Sequence, residues 1–167
     1  EWAPPCNCVR VPYWKDMKQL LAGVERMSYL LSQGVHCAPV AILYPVAAIE
    51  GGIEGEAAVE AAFSMGESLY SSGIDLDYLD FESLRRAEIA GDALQIAGES
   101  YSVVVIPNMR TIRGETIQKL LSFAKAGGKV ICAGDFPAFS DLALEGMEAE
   151  FRLAGGIIVR PEEAVAR

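Results

Sequence analysis

The chain has 167 residues, 51% of them hydrophobic, enough to bury one core as a single domain of ordinary size. Fourteen Lys and Arg against 23 Asp and Glu leave a net charge of −9, which repels phosphate backbones and anionic lipid surfaces, so no nucleic acid partner is expected. No apolar run approaches the roughly 20 residues that a transmembrane helix needs, so no membrane partner is expected either.

The first residues, EWAPP, hold neither an initiator Met nor a basic-then-apolar leader, and read as a start inside a longer polypeptide. Residues 1–13 carry Pro4, Pro5 and Pro12 and are expected to form an extended arm, because proline fixes φ and removes a donor. Over residues 14–33 the pattern changes. Met17, Leu20, Val24, Met27 and Leu31 recur at spacings of three and four, and Leu21 and Leu30 widen the stripe. This predicts a long amphipathic helix stopped at Gly34.

Strands and helices alternate after that. Residues 40–44 are a continuous apolar run closed by Pro45, as in a buried parallel strand. Residues 56–72 place Val59, Ala62, Phe63, Gly66, Leu69 and Tyr70 at helical spacing, with Gly73 as the stop. Residues 74–81 alternate, with Ile74, Leu76 and Tyr78 on one face and Asp75 and Asp77 on the other, which marks a half-exposed strand at a sheet edge. A polar excursion over residues 85–100 holds a small ribbon at 93–96, between Gly91-Asp92 and Gly98-Glu99. Residues 102–106, with three consecutive valines, are the strongest central-strand signal. A helix is predicted over 116–125, a strand over 129–133, a helix over 142–153 and a last short strand over 156–159.

Strand and helix in regular succession imply an α/β fold with a doubly wound, mostly parallel sheet covered on both sides. With the alternating strand second and the valine-rich strand third, the flavodoxin-like order 2-1-3-4-5 puts the exposed strand at the edge. Ligands in such folds sit beyond the carboxyl ends of the strands, here between the loops that follow Tyr44 and Ile106. The first of these loops is glycine-rich, but it carries Glu50, Glu54 and Glu56 and lacks both the G-x-G-x-x-G and the P-loop pattern, so no nucleotide or flavin cofactor is expected. The second offers Asn108, Arg110 and Arg113, which with Asp135 are the candidate ligand-binding residues. Guanidiniums suit carboxylates and sugar hydroxyls. The ordinary alternative, and the favoured one, is that both arginines pair with Glu50, Glu54 or Asp135.

The remaining chemistry-bearing residues read as structural. Cys6, Cys8, Cys37 and Cys132 have no metal-finger or redox spacing and are expected to be inert thiols. Cys132 lies at a strand end, where a nucleophile would need small flanking residues and a base within reach. Ile131 precedes it, and the only histidine, His36, falls before the first strand, so no catalytic residue is expected. Asp75, Asp77, Asp80 and Glu82 are the densest acidic group. Asp80 is placed on the opposite face from Asp75 and Asp77, so a solvated sheet edge, and no metal site, is the reading.

Three stretches carry a resemblance: residues 13–14 through Arg26-Met27-Ser28-Tyr29-Leu30-Leu31-Ser32-Gln33-Gly34; then Val40-Ala41-Ile42-Leu43-Tyr44-Pro45; then residues 101–107 with Met109-Arg110-Thr111. They resemble the region after the catalytic barrel in α-L-rhamnosidase-type glycoside hydrolases. There a helix with this ending leads into a class I glutamine amidotransferase-like domain, similar to the trimerisation domain of some β-galactosidases. The resemblance covers about residues 2–137 and implies a division at 1–34, arm and linker helix from the end of the barrel, and 35–167, the flavodoxin-like domain. It also implies that the catalytic carboxylates lie on the barrel, that the partner is this barrel of the same parent chain or a second copy in a homo-oligomer, and that the parent is secreted or periplasmic in bacteria. The helix independently carries more apolar surface than one sheet face needs, which marks an interface built on Trp14, Met17, Leu21, Val24 and Tyr29. A structural or interaction domain is therefore the leading expectation. A sugar-binding domain using Arg110 and Arg113, or a stand-alone amidotransferase-like enzyme, is the alternative.

Overall fold

The computed structural model describes residues 11–166. The chain divides into two compact units, Glu1–His36 and Cys37–Arg167. The described part of the first unit holds a 3-10 helix, Pro12–Asp16, running into helix α1 (Met17–Leu31). Pro12 and Tyr13 were expected in an extended arm, and the structure corrects this: proline sits at the start of the 3-10 helix, where its fixed φ fits the first turn and its missing N–H costs nothing. The rest of the expected arm, with Cys6 and Cys8, lies outside the described residues. Gly34, at φ 90, follows α1 in the left-handed conformation that ends helices.

The second unit runs β1 (Val40–Leu43), α2 (Val46–Gly51), α3 (Gly55–Ser71), β2 (Leu76–Leu79), α4 (Phe81–Arg86), β3 (Glu88–Ala90), β4 (Ala93–Ile96), β5 (Glu99–Tyr101), β6 (Val103–Ile106), α5 (Gly114–Lys125), β7 (Lys129–Ala133), α6 (Met147–Leu153) and β8 (Ile157–Val159), and closes with a 3-10 helix, Pro161–Ala166. The expected α/β architecture is present. Five parallel strands form the central sheet in the order β2-β1-β6-β7-β8, flanked by helices, and β2 lies at an edge.

Period-2 alternation explains why both faces are apolar. Ala41, Leu43, Val104, Ile106, Val130 and Cys132 point to one face, where they meet Ile117, Leu120 and Phe123 of α5 and Phe151 of α6. Val40, Ile42, Val105, Ile131 and Ala133 point to the other, against Ala62, Met65 and Leu69 of α3 and Ala164 of the closing 3-10 helix. Close packing also selects glycine: a Cβ on Gly128 would overlap the Phe123 ring.

The polar excursion differs most from expectation. Helix α4 runs into it, and it holds a three-stranded antiparallel sheet, β3-β4-β5, where a single ribbon was expected over 93–96. The Asp80 carboxylate accepts a hydrogen bond from Ser83 N–H at 2.6 Å and caps α4. Two-residue turns at Gly91-Asp92 and Ala97-Gly98 link the strands, and Ala97 (φ 52) and Gly98 (φ 92) share the positive φ that hairpin turns favour. Leu84, Leu94 and Tyr101 send this excursion into the core on the α5 face. The last helix is shorter than predicted, because the chain turns at Gly146 (φ 78) before α6 begins.

The acidic edge is dispersed by this geometry. Asp75 accepts from Leu76 N–H, Asp77 from the Tyr101 hydroxyl at 3.0 Å, and Glu82 pairs with Arg85. Asp80 belongs to the α4 cap and not to the far face of a strand.

Candidate functional site at the carboxyl rim

The carboxyl ends of β1, β6, β7 and β8 release Tyr44, Asn108, Gly134 and Arg160 onto one rim, because parallel strands all end on the same side. The four ligand-binding candidates all lie on this rim, but the structure splits them into two pairs.

Arg110 and Arg113 occupy the half between β1 and β6. Arg113 reaches Glu50 at 2.7 Å and Arg110 reaches Glu54 at 3.3 Å, the pairing favoured on sequence grounds. The acidic loop is helix α2 as far as Gly51 and then a tight turn into α3, in which Glu54 itself adopts φ 53. That turn carries the two carboxylates to the arginines. Each guanidinium also lies over a ring, Arg113 at 3.9 Å from the Phe81 centroid and Arg110 at 5.2 Å from Phe139. Both guanidinium charges of this half are thus paired with the protein's own carboxylates and laid on aromatic faces, although Arg113 Nε is buried with no hydrogen-bond partner among the described residues.

Asn108 and Asp135 occupy the other half. They line a depression of about 520 Å³ with Gly134, Val159, Arg160 and Glu163 among its walls. Arg160 and Glu163 pair at 2.6 Å. Sequence reading did not find these two: residues 160–166 show no apolar period, and only the turn of the chain after β8 brings them to the rim.

Cys132 lies beneath the rim. It is fully buried, and its thiol donates to the Asp135 carbonyl oxygen at 3.5 Å. Burial first, and the nearby Asp135 charge second, push this thiol up to about 12, so at neutral pH it is not a thiolate. Cys37 is exposed. On β5, burial and the Asp77 carboxylate likewise raise the Tyr101 phenol above its usual range.

The interface candidates lie in the first unit. At 100° per residue, Met17, Leu20, Leu21, Val24, Met27 and Leu31 fall within an arc of about 120° on α1. Trp14 belongs to the preceding 3-10 helix, and Tyr29 falls outside the arc. No residue of α1 is buried, and Leu20, Leu21, Val24, Met27 and Leu31 are all more than half exposed. A lone helix encloses no core, so among the described residues of its own unit this stripe has no cover. A scan against protein-family models gives no match for this sequence, and a search of curated proteins gives none.

Proposed function

We propose that the chain is a non-catalytic interaction domain of a larger glycoside hydrolase of the α-L-rhamnosidase type it resembles. In this reading the second unit is a flavodoxin-like, class I glutamine amidotransferase-like domain, and the apolar face of α1 is the docking surface, taken by the parent's catalytic barrel or by a second copy. The observation that carries the reading is the uncovered stripe Met17-Leu20-Leu21-Val24-Met27-Leu31, since contiguous exposed apolar surface of this kind marks interaction sites. The strand order supports the flavodoxin-like assignment. The protonated, buried state of Cys132 and the pairing of both rim arginines favour docking over an amidotransferase-like reaction.

Sedimentation velocity tests this reading, because an apolar face without its partner pairs with itself. The chain is expected to self-associate as its concentration rises, and the double variant Leu20→Asp, Val24→Asp to remain monomeric with unchanged circular dichroism. Concentration-independent monomer for the parent sequence, or association untouched by the substitutions, would overturn it.

A further inference from the structure

We propose that the depression at the carboxyl ends of β6, β7 and β8 is a binding site for a small neutral polyol, held by Asn108 and Asp135. The docking reading does not enter this inference. The depression, about 520 Å³, shares Asn108 and Pro161 with a smaller one of about 280 Å³ against α3. A ligand seated beside Asn108 can therefore extend into both.

The Asn108 side chain is held in place by shape. Gly134 stands at φ 128, and a Cβ there would lie 2.5 Å from Asn108 Oδ1 and 2.8 Å from Asn108 Cβ. Only glycine lets the amide lie against the end of β7. Neither Asn108 nor Asp135 spends its side chain on a hydrogen bond or ion pair with another described residue, and both are exposed to an incoming molecule. They are positioned and uncommitted, in contrast to Arg110 and Arg113.

The lining selects the chemistry. Arg160 is the one cation of the two depressions among the described residues, and it is held by Glu163 at 2.6 Å and Glu162 at 3.7 Å. Asp135 adds a third carboxylate, so the excess negative charge turns away phosphates and carboxylic acids. An ammonium group would satisfy the carboxylates but has only donors, so it makes no bond to the Asn108 amide N–H, which stays with water. Hydroxyl groups both donate and accept. A polyol can give a hydrogen bond to Asp135, take one from Asn108 and lay its C–H face on Val159 and Pro161. Among the described residues no aromatic ring lines either depression, so the affinity is expected to be low, with a dissociation constant on the order of 10 mM.

Amide-resolved NMR of the full chain tests the proposal, with xylitol as probe and putrescine and inorganic phosphate in parallel. Saturable shifts are expected for xylitol alone, at the Asn108 side-chain amide and the Gly134 and Asp135 backbone amides. The dissociation constant should rise about tenfold in both Asn108→Ala and Asp135→Ala, the loss of one hydrogen bond. Both positions are exposed, and unchanged spectra elsewhere verify that each variant is folded. Shifts that grow linearly without saturating, a dissociation constant unchanged in either variant, or saturation by putrescine or phosphate in place of xylitol would each overturn the assignment.

Discussion

In the unit Cys37–Arg167 both faces of the sheet are covered by helices, whereas among the described residues of the unit that holds α1 a stripe of the same residue types has no cover. Leu, Val and Met therefore do opposite work in the two regions. On α5 and β7 they and their neighbours are removed from water and hold the fold together. On α1 the same apolar area is a liability unless something docks on it.

The contrast is broken most forcefully at Phe123, which is fully buried among core residues on the α5 face. Phe123→Ala is expected to cost about 3–5 kcal/mol in urea unfolding, while Leu31→Ala on α1 costs less than about 0.5 kcal/mol. Equal losses at the two positions would mean that the stripe on α1 is as covered as the core.

A second effect is expected in alkali. The Cys132 thiol is held protonated by burial, from an ordinary value of 9.0 up to about 12. The native state then keeps a proton that the unfolded chain releases, so this contribution is fully present below pH 9 and is lost as pH rises through 12. Its size is on the order of 4 kcal/mol. Cys132→Ala should flatten the fall in stability between pH 9 and 12, and at neutral pH iodoacetamide should label Cys37 and spare Cys132 until the chain unfolds. An unchanged alkaline slope would contradict the account of this thiol.

The smallest effect sharpens the comparison inside the second unit, at the excursion that sequence patterning reads least well. Asp80→Ala should cost about 1 kcal/mol through loss of the α4 cap. The hydrogen bonds from Ser83, first of all, hold the Asp80 carboxyl below its usual 3.8, so its contribution is present above that pH and is lost as acid titrates it in the fold. The acid limb of the stability curve should therefore be shallower in the variant; identical acid limbs would count against the cap.

Legibility follows burial. The runs that became β1, β6 and β7 are apolar on both faces, so they read directly as 40–44, 102–106 and 129–133, against Val40–Leu43, Val103–Ile106 and Lys129–Ala133 in the structure. The stripe on α1 is equally plain, because a three-and-four spacing sustained over four turns has no other interpretation. Short elements with mixed faces do not read. Helices α2 and α4 are six residues each, too short to establish a period, and β3 and β5 are three residues each. At the rim, residue type was enough to anticipate that Arg110 and Arg113 would meet glutamates. It could not show that Asn108 and Asp135 stay uncommitted, since this depends on Gly134 and on the turn that delivers Arg160 to Glu163.

The most direct test of the central claim compares methionines of the two regions. Met27 on α1 is 56% exposed, whereas Met65 and Met109 are 5% and 3% exposed in the core. In dilute solution, where the chain sediments as a monomer, hydrogen peroxide should oxidise Met27 at nearly the rate of free methionine while Met65 and Met109 are spared, as read by peptide mass spectrometry. Protection of Met27 to the level of the two core methionines would show that its face is already covered and would contradict the docking account.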